Sequence, residues 1–559
     1  MATQNNNSEA VPTTCDAIFW NRRNDDKVAL KFEDQSWTYR QWIQASQVRA
    51  ALFERWAQAG PTHIGILLDN VPDFCFWTTA CLITGNTMVG LNSTRAASAI
   101  ETDIAHTDCQ MVITESRYLD LVKGSSLYKQ GRVLVVDSEQ YAKELSKHET
   151  APWPSTQAQP EDIAFLIFTS GSTGAPKACV RRQKTVAPTA AFSHLVTGNT
   201  ASDVLYCAMP LFHSNSLFMS FLAAVGIGAT LVLKRKFSAS EFLPDVRRYG
   251  VTFFNYVGRP LSYILATPPK DNDTDNSLRM AFGAEASDID IDRFSQRFGC
   301  EVKDTYGTTE GVVACMREPD MPTCALGRLP PGHQVVSPNT NAVCAAAEFN
   351  QHGQLLNANE AIGEIVRVDA DALFEGYYKN DQANQNKLRD GWYWSGDLGY
   401  VDSLGWLYFS GRDDNWLRVD GENLAVAPIE QAIAQLEGVA SAAAYAVPAV
   451  DAGDELMVAI ELQASGIFDP YSFAAALKNR GLGKKSIPKY IRLIENMPTT
   501  ATAKIQRNLL RKEGWQTEDT VWWIPGRENR YREIQENDKK EIRKAMVERG
   551  RDNLLQTIN

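Results

Sequence analysis

The chain has 559 residues, a formal net charge of −11 and a pI near 5.3. Because single hydrophobic cores stop growing at about 250–300 residues, this length predicts two or more domains. The acidic balance provides no broad positive field for a phosphodiester backbone, and no basic tract is interleaved with aromatic residues, which argues against a nucleic-acid partner.

The cysteines and the first residues bear on the compartment. The ten cysteines form no Cys-x-x-Cys pair and no Cys/His spacing of the zinc type, which predicts free thiols in a reducing compartment. The polar start lacks the basic and apolar regions of a signal peptide. We therefore expect a cytoplasmic protein. Because the first residues are low in apolar content, we also expect residues 1–16 to form a disordered tail.

Strands and helices alternate through the first half of the chain, which is typical of βαβ units and parallel sheets. The predicted elements are a hairpin at 28–39, a helix at 40–59, a strand at 63–68, a helix at 72–84, and strands at 88–91, 111–114, 132–137 and 163–167. Beyond them we predict a strand at 204–208, a helix at 216–226, a strand at 229–233, a helix at 238–249, and strands at 251–257 and 278–282.

Two apolar stretches, residues 74–91 and 217–233, invite a membrane interpretation. Glycines interrupt both, whereas a spanning helix needs about 20 uninterrupted apolar residues. We predict that each stretch is a buried helix that passes into a strand, and that the chain has no transmembrane segment.

The second half changes character. Short strands separated by Gly and Asp turns at 327–409 predict a small β-rich subdomain. A compact region with its own strands and helices follows Gly411, and the segment from residue 534 is highly charged. The predicted fold class is α/β: a large N-terminal domain of doubly wound sheets at 17–411 that includes the β-rich subdomain, a small α+β C-terminal domain at 412–533, and a charged, solvated helix or tail at 534–559.

The most informative segment is Thr169-Ser-Gly-Ser-Thr-Gly-Ala-Pro-Lys177, which follows an apolar strand. Two glycines, four hydroxyls and a lysine can wrap main-chain N–H groups around an oxyanion, and a polyphosphate is the expected one. Because Ala175 and Pro176 separate the last glycine from the lysine, this is not a Walker A loop. The alternative is a surface turn rich in small polar residues.

Four further segments complete a pattern in chain order: Tyr306-Gly-Thr-Thr-Glu310, Ser395-Gly-Asp-Leu-Gly399, Gly411-Arg-Asp-Asp414 with Gly421-Glu-Asn, and Pro498-Thr-Thr-Ala-Thr-Ala-Lys504-Ile. With all five in register, nearly the whole chain resembles the adenylate-forming enzymes, which include acyl-CoA synthetases, peptide-synthetase adenylation domains and luciferases. In that family the small C-terminal domain is mobile.

The resemblance implies the residues that hold ATP and Mg²⁺. Those expected to contact the phosphates are Thr169, Ser170, Gly171, Ser172, Thr173, Gly174, Lys177 and Thr309. Tyr306 is expected to stack on the adenine, Asp397 to hold the ribose and Arg412 to reach the ribose or a phosphate. Gly307 and Thr308 complete the expected cofactor-binding residues. Glu310 matches the family's magnesium ligand, and a hard carboxylate oxygen suits that ion.

Lys504 is the expected catalytic residue of adenylation, because a lysine between the carboxylate and the α-phosphate offsets the charge that develops there. The usual preceding glycine is Ala503, a change that the very-long-chain branch of the family tolerates. His213 matches the family's Pro-Leu-Phe-His segment beside the carboxylate pocket, where it is expected to act as a gate. The alternative for His213 is an ordinary core histidine.

The second half-reaction requires Lys504 to leave so that CoA reaches the acyl group. The resemblance places the hinge for this rotation at Asp414 and the CoA path at Gly421 and Glu422. The absence of a Cβ at Gly421 would let its backbone approach the pantetheine arm.

Segments that begin at Lys234, Tyr249 and Arg418 resemble the fatty acid transport proteins and the very-long-chain and steroid acyl-CoA synthetases. The expected acyl-pocket residues are Phe212, Tyr256, Gly283 and Ala284. Small residues at Gly283 and Ala284 would leave room for a wide acyl group.

We therefore predict an AMP-forming acid–thiol ligase that uses ATP, Mg²⁺ and CoA. Its substrate would be a medium or long fatty acid, or a steroid side-chain or carnitine-like acid, which places it in fatty acid and lipid metabolism. Two alternatives stay open: transfer to the phosphopantetheine of a separate carrier protein, and a non-catalytic nucleotide- or lipid-binding protein. A homodimer and peripheral membrane association also stay open.

Overall fold

The computed structural model describes residues 11–551 with gaps at 170–176, 319, 339, 352–354, 413–416, 420–421, 425, 451–453, 465, 481, 483–485, 501–504, 527–529 and 550. The chain divides into two compact units. Unit 1 comprises the described residues up to 316 together with 370–391, and unit 2 comprises those of 317–369 and from 392 onward.

The strands, in chain order, are β1 Val28–Phe32, β2 Gln35–Thr38, β3 His63–Leu67, β4 Thr87–Gly90, β5 Cys109–Thr114, β6 Val133–Val135, β7 Ile163–Thr169, β8 Lys177–Arg182, β9 Val204–Cys207, β10 Thr230–Leu233, β11 Phe253–Val257, β12 Met280–Ala284, β13 Glu301–Gly307, β14 Ala314–Met316, β15 Ala325–Arg328, β16 His333–Val336, β17 Gly363–Arg367, β18 Leu388–Arg389, β19 Trp392–Val401, β20 Trp406–Arg412, β21 Leu417–Val419, β22 Glu422–Leu424, β23 Val439–Pro448, β24 Asp454–Leu462, β25 Tyr490–Ile494, β26 Thr520–Trp523 and β27 Arg532–Glu533.

The α-helices are α1 Cys15–Arg22, α2 Tyr39–Trp56, α3 Pro72–Thr84, α4 Ala97–His106, α5 Ser126–Lys129, α6 Glu139–Ser146, α7 Gln183–Phe192, α8 His194–Thr197, α9 Ser214–Ser216, α10 Ala223–Ile227, α11 Ala239–Tyr249, α12 Pro260–Leu265, α13 Asp288–Phe298, α14 Ala358–Ala361, α15 Asp381–Lys387, α16 Val426–Ala434, α17 Pro470–Asn479, α18 Arg507–Glu513 and α19 Glu536–Glu548. A π-helical turn, Leu217–Leu222, joins α9 to α10. The 3₁₀ helices include Ser116–Leu121 and Gly514–Gln516.

Unit 1 is built on two largely parallel sheets. The first has the order β14-β13-β12-β11-β9-β10-β1-β2, with only its two edge strands antiparallel. The second has the order β6-β5-β3-β4-β7-β8, and its antiparallel edge strand is β8. Crossover helices connect the parallel neighbours, as parallel pairing requires. The predicted doubly wound α/β fold is thus confirmed.

One hydrophobic core joins the two sheets of unit 1. It contains Leu205 from the first sheet, Phe165 from the second and Trp77 from α3, together with residues of α7, the π-helical turn and α10. Strands that are covered on both faces read as continuous apolar runs, which is why residues 163–167 have no alternating pattern. Smaller cores cover the outer faces, one under α11 to α13 and one under α4 and α5.

Unit 2 contains an antiparallel sheet of order β15-β20-β19-β17-β16 and a mixed sheet of order β22-β21-β24-β25-β26-β27, in which β23 also pairs with β24. The mixed sheet is packed on both faces, by α16 and α17 on one and by α18 and α19 on the other. The charged segment beyond residue 534 was predicted to be a solvated helix or tail. Its residues Glu536–Glu548 form α19, which is not solvated all round because Ile542 and Met546 are buried. The predicted domain boundaries stay predictions.

Within each of the two apolar stretches, a glycine ends the helix before the strand begins, as expected. Helix α3 stops at Thr84 because Gly85 adopts a left-handed conformation, with φ 74°, and β4 begins two residues later. Gly228, also with φ 74°, ends α10 before β10. Among the described residues, no helix combines the length and apolar character needed to cross a membrane.

Asp304 is a half-buried acid on β13, near the carboxyl edge of the first sheet. Its carboxylate accepts hydrogen bonds from the Tyr256 hydroxyl at 2.7 Å and from the Ala286 N–H at 3.2 Å. Burial outweighs these two bonds and raises the pKa of the Asp304 carboxyl to about 6. The folded protein therefore holds this proton more tightly than the unfolded chain, and stability is lost as the pH rises through about 6.

We predict that Asp304→Asn becomes more stable than the parent protein as the pH rises. The amide oxygen can still accept both hydrogen bonds, and the ionisation is gone. The gain in free energy of unfolding should be about 1–2 kcal/mol at pH 8 and close to zero at pH 4. Urea denaturation at the two pH values measures it.

Asp203→Asn provides the control with the opposite sign. Although burial acts against it, hydrogen bonds from Thr252 and Thr200 lower the pKa of the Asp203 carboxyl, so its substitution should be most harmful at the higher pH. An Asp304→Asn difference that does not change with pH would contradict the account of this acid.

Candidate functional site

The predicted phosphate loop joins two paired strands. Thr169, the last residue of β7, lies opposite Lys177, the first residue of β8. The loop therefore leaves and rejoins the sheet at one position, at the carboxyl end of a parallel strand, where open α/β sheets bind ligands. Within the loop, Ser170, Gly171, Ser172, Thr173 and Gly174 lie outside the described residues.

The outer edge of β8 is covered by the segment 376–378. The Tyr378 N–H donates to the Ala178 carbonyl at 2.8 Å, and the Val180 N–H donates to the Gly376 carbonyl at 3.0 Å. This pairing places the Tyr377 ring beside Lys177, whose Nζ is 5.4 Å from the ring centroid. At that distance the ammonium group is attracted to the face of the ring.

Glu310 lies in a tight turn after β13. The Thr308 N–H donates to the Val313 carbonyl at 3.1 Å, and the Gly311 N–H donates to the Thr308 carbonyl at 2.9 Å. The Tyr377 hydroxyl donates a hydrogen bond to Glu310 Oε1. Lys177 and Glu310, which are distant in sequence, thus both contact one tyrosine, Lys177 at its ring and Glu310 at its hydroxyl.

The threonines of this turn have polar groups suited to a ligand. Thr308 Oγ1 is buried and has no hydrogen-bond partner among the described residues. Buried hydroxyls are normally hydrogen-bonded, so an unpartnered one two residues before Glu310 fits a site for an anionic ligand. Thr309 Oγ1 is 3.3 Å from Ser214 Oγ.

The donor set also fits a nucleotide-borne Mg²⁺. The described residues contain no group of three or more Asp, Glu, His or Cys side chains that would hold a metal unaided. Mg²⁺ commonly takes one or two carboxylates and completes its shell with phosphates and water. The single carboxylate of Glu310, which contacts the same tyrosine as Lys177 at the end of the predicted phosphate loop, matches that pattern.

Arg181 and Glu375 are site neighbours that our sequence analysis missed. Arg181 Nε lies 3.4 Å from Glu375 Oε2, and its Nη1 donates to the Thr309 carbonyl at 3.2 Å. Burial and the nearby carboxylates of Glu310 and Glu375 raise the pKa of the Cys179 thiol well above its usual range, with Arg181 acting in the opposite direction. The sequence signal was weak, because β8 reads Lys-Ala-Cys-Val-Arg-Arg and Arg181 does not stand out from the arginine that follows it.

The segment before His213 is held by Asn70, which follows β3. The Asn70 amide donates to the Met209 carbonyl at 2.9 Å, and its oxygen accepts from the Leu211 N–H at 2.9 Å. The His213 ring packs against Phe212, with centroids 4.5 Å apart. Asn70 is only 3% exposed and was not singled out from the sequence.

The expected space at Gly283 is occupied. A Cβ at this position would lie 2.3 Å from the Tyr256 carbonyl oxygen and 2.6 Å from its ring, and Tyr256 is completely buried. Gly283 therefore leaves room for Tyr256 and not for a wide acyl group. Ala284 ends β12 opposite Val257, and Phe212 is buried in the main core. The acyl-pocket assignment stays a prediction.

The remaining predicted residues fall into three groups. Tyr306 and Gly307 end β13, where they pair with β14. Asp397, which is 3% exposed, lies opposite Arg412 in the pairing of β19 with β20. For Arg412 and for Glu422 of β22 only the backbone is described, and the following lie outside the described residues: Asp414, Gly421 and Lys504.

Sequence comparisons identify relatives along nearly the whole chain. A steroid-22-oyl-CoA synthetase of Rhodococcus jostii is 38% identical over 554 residues, which cover 98% of this chain and 100% of that protein. A medium/long-chain-fatty-acid–CoA ligase, FadD17, of Mycobacterium tuberculosis is 39% identical over 517 residues, covering 92% and 99%. Long-chain fatty acid transport protein 1 of the mouse is 28% identical and covers 94% and 86%.

Solved structures agree on the fold. MatB of Rhodopseudomonas palustris, in an ATP-bound crystal structure, has a TM-score of 0.76 at 18% identity and covers 90% of this chain and 98% of its own. The o-succinylbenzoate CoA synthetase of Bacillus subtilis, solved with ATP and magnesium, has a TM-score of 0.73 at 24% identity and covers 88% and 98%. At these identities the likeness shows the fold alone.

The predicted resemblance to the fatty acid transport protein and steroid acyl-CoA synthetase branch is confirmed by these relatives. The family described as AMP-binding enzyme matches residues 19–378, which is more than half of the chain. The chain therefore belongs to the AMP-binding enzyme family.

Proposed function

We propose that this protein joins a large hydrophobic carboxylic acid, either a medium or long fatty acid or a steroid side-chain acid, to CoA through an acyl-adenylate. The broader predictions, an AMP-forming acyl-CoA synthetase that uses ATP, Mg²⁺ and CoA, are confirmed by the family and the named relatives. The proposal adds the class of acid, the roles of individual residues and the course of the two half-reactions.

The observation that carries the proposal is the meeting of Lys177, Tyr377 and Glu310 beside the phosphate loop. A triphosphate and a carboxylate repel one another, so adenylation depends on fixed positive charge and hydrogen-bond donors around both. Lys177 and the Thr308 hydroxyl supply such groups on the phosphate side. When bound, Mg²⁺ would offset further phosphate charge, and Glu310, oriented by the Tyr377 hydroxyl, would hold it.

The other roles follow from the family resemblance. Asp397 would accept hydrogen bonds from the ribose hydroxyls, Arg412 would contact the ribose or a phosphate, and Tyr306 would stack on the adenine. Lys504 would stabilise the charge at the α-phosphate during adenylation. Rotation about Asp414 would then remove Lys504, and the segment with Gly421 and Glu422 would line the CoA path.

The support for a hydrophobic acid is the similarity to a steroid-22-oyl-CoA synthetase and to medium/long-chain-fatty-acid–CoA ligases over almost the full length of each. The cytoplasmic location, the homodimer and peripheral membrane association stay predictions. So do the predicted boundaries at residues 411 and 533.

The direct experiment incubates the purified protein with MgATP, CoA and one of four acids: octanoate, palmitate, a steroid with a side-chain carboxylate, or acetate. The proposal expects AMP release and acyl-CoA formation with at least one of the three larger acids and little with acetate. Thioester formation only with a phosphopantetheinylated carrier protein, or no acid-dependent AMP release at all, would overturn it.

We predict that Lys504→Ala abolishes formation of the acyl-adenylate and spares thioester formation from a preformed adenylate. The lysine is expected to act only where charge develops at the α-phosphate, so the loss in the first half-reaction should be on the order of 10²-fold or more. Pyrophosphate exchange and single-turnover thioesterification measure the two steps. Equal losses in both steps would remove Lys504 from the proposed role.

We predict that Asn70→Ala selectively impairs use of the acid. The substitution removes both hydrogen bonds that hold the Met209–Leu211 backbone, so the segment with His213 should loosen while the phosphate site is unaffected. We expect kcat/KM for the acid to fall by on the order of tenfold with little change in the KM for MgATP.

The matched control is Gln110→Ala. Gln110 is also a buried amide that bridges main-chain groups, with donation to the Gln58 carbonyl at 3.0 Å and to the Pro61 carbonyl at 2.9 Å, away from the proposed site. If Gln110→Ala impairs acid use as much as Asn70→Ala does, the effect is one of general stability and Asn70 has no specific role.

A further inference from the structure

We propose that Arg181 and Glu375 form a positioning pair that sets the orientation of Glu310 toward MgATP without touching the nucleotide. The proposal rests on the function proposed above, since it concerns the same phosphate site. It adds a physical link between the strand that begins with Lys177 and the turn that contains Glu310.

Arg181 is placed for this role by its position in β8. It lies four residues after Lys177, so both side chains are on the same face of the strand. Its side chain is only 11% exposed, and its guanidinium carbon is 5.2 Å from the centroid of the Phe218 ring. A buried guanidinium is always charged and requires a partner.

Glu375 is that partner, and it is itself anchored. Its side chain is 6% exposed, and its Oε2 lies 3.4 Å from Arg181 Nε. The Glu375 carboxylate also accepts from the Arg182 N–H at 3.2 Å and from the Thr185 hydroxyl at 2.8 Å. Because these groups belong to β8 and α7, the carboxylate is tied to the scaffold and can hold the guanidinium in place.

The guanidinium in turn holds the Glu310 turn. Arg181 Nη1 donates to the main-chain carbonyl of Thr309, the residue directly before Glu310. Gly311 adopts a φ of 72°, and a Cβ there would lie 2.2 Å from Arg181 Nη1. The turn thus has the backbone conformation and the missing side chain that let the guanidinium approach it closely.

Two contacts therefore fix the Glu310 segment at two different points. Tyr377 holds the carboxylate by its Oε1, and Arg181 holds the backbone through Thr309. If the carboxylate that holds the metal ion is displaced by about 1 Å, the rate of the reaction can fall on the order of 10²-fold. Loss of Arg181 should therefore weaken the binding of Mg²⁺ and ATP more than it weakens the binding of the acid.

The experiment compares Arg181→Met, Arg181→Lys and the double variant Arg181→Met/Glu375→Gln with the parent protein. MgATP binding is measured by calorimetry without an acid, and the Mg²⁺ concentration for half-maximal pyrophosphate exchange is measured with an acid. We expect Arg181→Met to raise both the Kd and the Mg²⁺ requirement by about tenfold or more, with Arg181→Lys intermediate because it keeps the charge and loses the planar fork.

The double variant separates positioning from stability. Neutralising Glu375 removes the uncompensated buried charge that Arg181→Met leaves behind, so thermal stability should recover in part. Nucleotide binding should not recover, because the donor to the Thr309 carbonyl is still missing. Recovery of both properties would show that the pair acts through stability alone and would overturn the proposal.

The matched control is Arg297→Met, which removes another buried pair of unit 1. Arg297 Nε lies 2.7 Å from Asp273 Oδ2, and its guanidinium donates to main-chain carbonyls near Thr267, away from the phosphate site. Equal MgATP binding by Arg297→Met and Arg181→Met would overturn the positioning role. If MgATP binding changes only in the Arg181 variants while the parent protein activates no acid, the positioning role stands and the proposed ligase function fails.

Discussion

The main-chain pairing of β8 on both of its edges is the constraint on which the candidate site depends. On one edge β8 pairs with β7, which sets Thr169 and Lys177, the two ends of the predicted phosphate loop, opposite each other. On the other edge it pairs with residues 376–378, which supplies Tyr377 and covers an edge strand that would otherwise expose unpaired main-chain groups. This one strand therefore arranges Lys177, Tyr377, Arg181 and their partners.

A second constraint is that the two parallel sheets of unit 1 share a core. Asn70 follows a strand of one sheet, yet its amide holds the backbone of residues 209–211, which follow a strand of the other. Gly90, at the end of β4, lies so close to Phe212 that a Cβ would be 3.1 Å from the Phe212 carbonyl oxygen. The segment expected beside the acid is therefore held by the sheet from which the predicted phosphate loop leaves, so one scaffold would position the acid and the triphosphate.

The sequence predicts those features that depend on local chemistry. Pro72 and Gly85 mark the ends of α3, and continuous apolar runs identify the parallel strands. The motifs identify the family because each is a short run of residues with a shared role.

The sequence does not reveal features that depend on distant partners. It did not single out Arg181, Glu375 or Asn70, because the partners of these residues are 128 to 193 residues away along the chain. The space expected at Gly283 is filled for a similar reason, since only the fold places Tyr256 against it. The buried face of α19 was also missed, because its two buried apolar residues, Ile542 and Met546, are surrounded in the sequence by charged residues.

The most direct test of the account is a crystal structure of the protein with MgATP. We expect the triphosphate to lie along the loop between Thr169 and Lys177, within hydrogen-bond distance of Lys177 Nζ and Thr308 Oγ1. We also expect a Mg²⁺ ion on Glu310, with the hydrogen bond from Tyr377 to that carboxylate and the contact from Arg181 to the Thr309 carbonyl both retained. Phosphates bound away from Lys177, or a metal ion held without Glu310, would contradict it.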